Sequence, residues 1–340
     1  MKRGRIESHL LESTLLKGNP LNDPAERELV VCLPPGYEEE STRRYPVVVC
    51  LTGFTGSGYM LLNRSAWTPS LPERHDRLME AGEIGPMILV LPDCFTLLGG
   101  SQFLDSAATG RYESHLMKEL LPFVESRYRT RPAPEGWAVM GKSSGGYGAL
   151  IHAMKHPERF GAFACHSGDM YFEYCYLPDF PKMIRTVQAS GGLKPFLTRF
   201  EAMQQKSHEA MTAMNIVAMA ACYSPRTPHP GPDDATLGID FPFDLETGEL
   251  KEEVWVRWLE HDPVRIYEQH LGALAKMKLR YLDCGSRDEF HLQFGARILR
   301  DRLKDAGLPV KHEEFDDGHM NVSYRYDRSL VLLSDALGAK

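Results

Sequence analysis

No stretch of this chain is apolar for long enough to span a bilayer, and no surplus of basic residues gives it a field for nucleic acid. Of its 340 residues 39 are Lys or Arg and 46 are Asp or Glu, a formal charge of −7. That balance excludes electrostatic binding to phosphate backbones or anionic membranes. The opening residues Met1-Lys2-Arg3-Gly4-Arg5-Ile6-Glu7-Ser8-His9 are basic but lack the continuous apolar segment of a secretory signal, so a soluble, cytoplasmic protein is expected. There is no CxxC and no HExxH spacing, and neither a metal nor an organic cofactor is expected. The seven cysteines, Cys32, Cys50, Cys94, Cys165, Cys175, Cys222 and Cys284, are odd in number, scattered, and mostly set in apolar segments. They read as buried reduced thiols. Internal repeats are absent as well. With 43% hydrophobic and 25% charged residues the chain can bury a large core, as one α/β domain with an insertion or as two domains.

What the chain does have is alternation. Residues 27–33, closed by Pro34-Pro35-Gly36-Tyr37, predict an early strand; residues 45–51 and 87–92 predict strands apolar on both faces, as strands sandwiched between helices are. A helix is predicted over about 112–127, where Leu116, Leu120, Phe123 and Val124 share one face. Strands at 137–140, 160–165, 279–284 and 310–315 and helices at 292–303 and 324–337 complete the series. Alternating β and α units predict a mostly parallel central sheet with helices on both faces. Residues 170–262 break the rhythm with an aromatic cluster (Tyr171, Phe172, Tyr174, Tyr176, Phe180), Met-rich helix-like pieces and a Pro-rich run at 224–232. We read 170–262 as a partly helical cap inserted into a core made of 1–169 and 263–340. Sideways packing, or a contact between copies of the chain in a homo-oligomer, is the alternative.

One run carries chemistry. Gly141-Lys142-Ser143-Ser144-Gly145 follows the strand-like Trp137-Ala138-Val139-Met140 and precedes the helix-like Ala149-Leu150-Ile151-His152. Strand, tight turn and helix with a serine at the apex is the context of a G-x-S-x-G nucleophile elbow. A serine hydroxyl is a weak nucleophile at neutral pH, so it needs a base, and the base needs an acid to orient it. In the chain order Ser, acid, His, the strand at 279–284 runs into Gly285-Ser286-Arg287-Asp288-Glu289, which makes Asp288 the acid, with Glu289 its neighbouring competitor and Asp283 structural. The strand at 310–315 runs into Asp316-Asp317-Gly318-His319, which makes His319 the base. His152, His166, His291 and His312 are the other histidines that resemble a base, but none combines strand-end position with the required order.

An oxyanion hole needs two preorganised donors. The Ser144 N–H is one; the other is expected in Leu51-Thr52-Gly53-Phe54-Thr55-Gly56, at Phe54 with Gly53 next. Gly53, Trp67, Phe103, Tyr112, Tyr171 and the other aromatics of the 170–262 cluster are candidates for lining a substrate pocket, with burial in the core as the alternative for the aromatic ones.

Together these segments resemble the esterase D type (putative esterase) family of α/β-hydrolases, which includes S-formylglutathione hydrolases, enterochelin esterases, feruloyl and acetyl esterases, and mycolyltransferases. The matching pieces are Leu33-Pro34-Pro35-Gly36-Tyr37, Tyr45-Pro46, Leu51-Thr52-Gly53-Phe54-Thr55, Pro92-Asp93, the elbow through Leu150, Asp283-Cys284-Gly285-Ser286-Arg287-Asp288 and Gly318-His319. The resemblance implies an α/β-hydrolase fold, a serine esterase acting on a small-molecule ester, Ser143, Asp288 and His319 as the triad, and Phe54 and Ser144 as oxyanion donors. Two departures stand out: the residue after the nucleophile is often Met in the family and is Ser144 here, and residues 170–262 have no counterpart in its compact members. Acyl transfer by the same triad, and a non-catalytic binding protein on a hydrolase scaffold, are the competing readings. Short acyl, aryl and thioester substrates all remain open.

Overall fold

Strands that are apolar on both faces need helices on both sides, and that requirement sets the architecture. The computed structural model describes residues 3–231 and 236–340; Met1 and Lys2 of the basic start and Pro232 of the Pro-rich run lie outside the described residues. Eight strands form one sheet: β1 (Arg5–Glu12), β2 (Glu26–Leu33), β3 (Val47–Leu51), β4 (Ile88–Pro92), β5 (Trp137–Lys142), β6 (Ala162–His166), β7 (Leu279–Gly285) and β8 (Lys311–Phe315). Their spatial order is β1-β2-β4-β3-β5-β6-β7-β8. The β1/β2 and β2/β4 pairs are antiparallel and the others parallel.

Alternation along the strands divides the core in two. Leu29, Val31, Val47, Val49, Val139 and Phe163 face one side, where α2 (the contiguous helical pieces Tyr112–His115, Leu116–Leu120 and Leu121–Arg127), α3 (Ser144–Lys155) and α8 (Leu292–Asp305) pack. Val30, Val48, Leu89, Ala138, Met140 and Ala164 face the other side, against α1 (Leu71–Glu80) and α9 (Arg325–Ala336). Burying these side chains stabilises the sheet by roughly 1.5–3 kcal/mol per large residue.

β1 went unpredicted, and the reason is physical. Its apolar residues Ile6 and Leu10 are 49% and 62% exposed, while Glu7 and His9 turn inward and share the Tyr128 hydroxyl at 2.6 and 2.5 Å. Among its inward-facing residues only Leu11 is apolar, so the strand largely inverts the usual pattern of apolar inside and polar outside.

Between β6 and β7 the chain builds helices: α4 (Phe180–Ala189), α5 (Leu193–Ala202), α6 (His208–Tyr223) and α7 (Glu252–Leu259). Aromatic packing ties them to α3, with Tyr147 ring centroids 6.0 Å from Tyr223 and 6.3 Å from Phe172. One buried carboxylate joins both ends of this segment. Asp262 Oδ1 accepts from the N–H groups of Tyr171 and Val264 at 3.0 Å each, and Oδ2 accepts from Phe172 N–H at 2.9 Å.

Candidate active site

The turn between β5 and α3 is a single residue. Ser143 has φ 59° and ψ −128°, outside the regions favoured by L residues, a conformation that costs roughly 1–3 kcal/mol and needs its surroundings to hold it. They do so with two backbone bonds: Ser143 N–H donates to the His166 carbonyl at 2.9 Å, and Tyr147 N–H donates to the Ser143 carbonyl at 2.9 Å. Two glycines let the backbones close. A Cβ on Gly141 would overlap the Gly145 carbonyl, and one on Gly145 would overlap the Leu51 carbonyl of β3. Helix, strand and neighbouring strand thus press the half-buried serine up at the carboxyl edge of the sheet.

The parallel strands deliver the other groups to that edge. Lys142 pairs with His166 in register, and His166 with Asp283, so the loops after β5, β6 and β7 leave side by side. Past β7, Asp288 is fixed by accepting Phe290 N–H on Oδ1 at 2.9 Å, and its Oδ2 lies 2.7 Å from His319 Nδ1. Burial pushes the Asp288 carboxyl up, but the hydrogen bond and charge of His319 and the Phe290 N–H outweigh it, and the group ends below its ordinary value. An ionised carboxylate only accepts, so Nδ1 is the donor in this contact and Nε2 is the ring nitrogen left for another partner.

Glu289, the sequence competitor, does a different job. Its Oε2 accepts the His319 backbone N–H at 2.6 Å, holding the residue rather than the ring. Phe290 packs edge-on against the imidazole, centroids 4.8 Å apart. A second buried pair, His166 Nδ1 to Asp283 Oδ1 at 2.6 Å, mimics the first, but Asp283 also accepts from Arg325 Nε at 2.8 Å and the Tyr281 hydroxyl at 2.9 Å. This pair sits in the core under α9 and does not line the cavity at the serine.

That cavity measures about 290 Å³, and Ser143, His319, Gly53, Phe54 and Ser144 all line it. The Phe54 ring rests on Gly99 and Gly100, where any Cβ would crowd it, and Thr55 N–H donates to the Gly99 carbonyl at 2.9 Å. The turn is therefore pinned with the Phe54 N–H unspent on any backbone carbonyl of the described residues. Ser144 is the first residue of α3, where N–H groups lack intrahelical partners and the helix dipole favours negative charge. Two such donors beside a serine can stabilise the oxyanion of an acyl-transfer intermediate.

Of the other predicted lining residues Gly53 and, from the aromatic cluster, Tyr176 reach this cavity. Trp67 is 94% exposed on a surface turn, Phe103 packs beneath α3 against Gly148, and Tyr112 is fully buried with its hydroxyl on Arg27. Tyr171 stacks edge-on with Tyr174 outside it. The aromatic signal in these four marks core or surface, because an aromatic ring is bought by any apolar environment and not by a ligand alone.

Apart from Tyr176, the residues of the opposite wall were not read from the sequence. His208, Met211, Thr212 and Asn215 line the cavity from one face of α6, the i, i+3, i+4, i+7 spacing of a helix, and Tyr176 and Asp179 join them. Asp169 and Lys142 also line it. Asp169 had a usable signal, since it follows the end of a predicted strand at the same edge as Ser143. Among the described residues no cluster of His, Cys, Asp and Glu is arranged to hold a metal ion.

Residues 24–327 match the family described as Putative esterase. Two esterases from strains of Mycobacterium tuberculosis are each 37% identical to this chain over 84 residues, a match that takes in 24% of this chain and only 18% of their length. Among solved structures, a ferulic acid esterase superimposes with a TM-score of 0.64 at 20% identity, covering 99% of this chain and 100% of its own. An S-formylglutathione hydrolase from Agrobacterium tumefaciens gives 0.59 at 16% identity over 99% and 97% of the two chains. A fluorophosphonate-binding serine hydrolase of Staphylococcus aureus gives 0.57 at 13% identity over 98% of each. At these identities the structural likeness speaks for the fold.

Proposed function

From membership of the Putative esterase family, to which this chain belongs, we propose that it is a carboxylic ester hydrolase working through Ser143, His319 and Asp288 on its α/β-hydrolase fold. The observation that carries this reading is the 2.7 Å contact between His319 Nδ1 and Asp288 Oδ2 on the cavity that also holds the strained Ser143. His319 Nε2 takes the proton from Ser143 Oγ as the oxygen attacks the ester carbonyl. The resulting oxyanion is met by the Ser144 and Phe54 N–H groups, each worth about 3 kcal/mol of barrier. Collapse breaks the bond to the alcohol oxygen, which leaves with the proton from His319, and Ser143 is acylated. Water then attacks the acyl-enzyme, giving its proton to His319, and the acid departs as Ser143 regains a proton. Asp288 holds the ring in one tautomer and offsets the imidazolium charge throughout.

Residues 170–262 act as the cap in this reading, because α6 supplies the wall facing the nucleophile and so selects the ester. Seven buried, unpaired thiols fit a reducing compartment, and we place the protein in the cytoplasm. Among the described residues no helix is long and apolar enough to cross a membrane.

Ser143→Ala is expected to abolish hydrolysis of p-nitrophenyl butyrate and labelling by a fluorophosphonate probe while the melting temperature holds. Wild-type turnover in that variant would overturn the assignment.

A further inference from the structure

A carboxylate that neither the triad nor the oxyanion donors employ reaches the same cavity. Asp169 lies three residues past β6 and is only 7% exposed. Its Oδ2 is crowded with donors: Gln102 Nε2 at 2.9 Å, the Tyr176 hydroxyl at 3.0 Å, and the Ser144 hydroxyl 3.5 Å away. Its Oδ1 has no donor among the described residues and is not sealed from the cavity that the residue lines beside Ser143. The other buried aspartates nearby differ. Asp262, Asp283 and Asp288 each have both oxygens engaged.

The surroundings hold this acid in place at a cost. Gln102 (φ 49°), Phe103 (φ 57°), Ser167 (φ 42°) and Tyr171 (φ 56°) all adopt left-handed backbone on the two loops that meet at Asp169. Gln102 Nε2 also donates to the Tyr223 hydroxyl at 2.8 Å, so the aromatic cluster beneath the insertion fixes the clamp. Open to the cavity, that oxygen can take a donor from a bound ligand in place of water. Lys142 and Asp179 also line the cavity with opposite charges. The Gln102 and Tyr176 groups on Oδ2 are neutral donors, and a neutral hydroxyl suits Oδ1 in the same way.

We propose that Asp169 is a specificity-determining residue whose Oδ1 accepts a hydrogen bond from a substrate hydroxyl, making hydroxylated esters the preferred class. The proposal rests on the esterase reading. The test compares kcat/KM within matched pairs: p-nitrophenyl 3-hydroxybutyrate against p-nitrophenyl butyrate for the acyl side, and glyceryl monobutyrate against propyl butyrate for the alcohol side. The hydroxylated ester of at least one pair is expected to be favoured by about tenfold or more, since a site built to bond a hydroxyl rejects the analogue lacking it. In Asp169→Asn that ratio collapses towards one. Tyr176→Phe, which removes one clamp and keeps the carboxylate, shrinks the ratio partway and serves if Asp169→Asn does not fold. No preference in either pair, a preference that survives in the variants, or a stronger preference for p-nitrophenyl 3-aminobutyrate overturns the proposal. Absence of any esterase turnover or Ser143 labelling in the wild type would count against the esterase reading instead.

Discussion

Two adjacent acids follow β7, and they do unlike things. Asp288 touches the His319 ring and Glu289 touches its backbone N–H. Asp288→Asn leaves the shape but lets Nδ1 lose its fixed proton, and kcat/KM is expected to fall by about 10³–10⁴. Glu289→Gln keeps an acceptor for the N–H and should lose less than about tenfold, the scale of one weakened hydrogen bond. Steady-state kinetics on p-nitrophenyl butyrate decides it; equal losses would overturn the division of roles. At this scale the sequence led to Ser143, Asp288 and His319 through the order that the chemistry demands, and the structure brings Asp288 and His319 into contact beside the cavity that Ser143 lines. For Asp169 it offered only a strand-end position, because the significance of this residue lies in an oxygen without a donor, a property that exists only once Gln102 and Tyr176 have been brought to the other oxygen by distant segments.

Whole strands were legible because central strands are apolar on both faces, and the structure begins or ends them within about two residues of the expected positions. The exception, β1, pairs through its backbone at the sheet's edge, where side-chain pattern has little say. The segment between β6 and β7 was legible as a break in alternation with helix-like pieces, but not in its packing; α4, α5 and α7 are amphipathic while α6 is buried on most of its surface, and their partners lie far apart in sequence. Its anchoring depends on Asp262, whose carboxyl burial pushes up to about 6 against the pull of three backbone N–H groups. Asp262→Ala leaves those three buried donors without an acceptor, at about 1–3 kcal/mol each. The expected outcome is a lower melting temperature together with faster amide exchange at Tyr171, Phe172 and Val264; unchanged exchange at those amides would show that the anchor lies elsewhere.

For the molecule as a whole, buried titratable groups set the response to acid. Burial holds His152 down to about 3 and His261 down to about 4, so below pH 6.5 the unfolded chain takes up protons that the folded one refuses. Stability is then lost as pH falls from about 6.5 towards 4, by about 1.4 kcal/mol per pH unit for each histidine. Asp262 works in the opposite sense: raised above its unfolded value, it is protonated first in the folded state and returns about 1.4 kcal/mol per unit between pH 6 and 4. The histidines prevail. Urea unfolding is expected to show lower stability at pH 5 than at pH 7, with a shallower loss in His152→Phe; equal stability at both pH values would refute it. The composition gave the ordinary charge and the large core, but it could not reveal that Asp262 gathers the two ends of a ninety-residue excursion onto a single carboxylate. That junction has a topological meaning. With entry and exit held side by side, β6 and β7 pair in parallel register as directly as if the chain between them were one short turn.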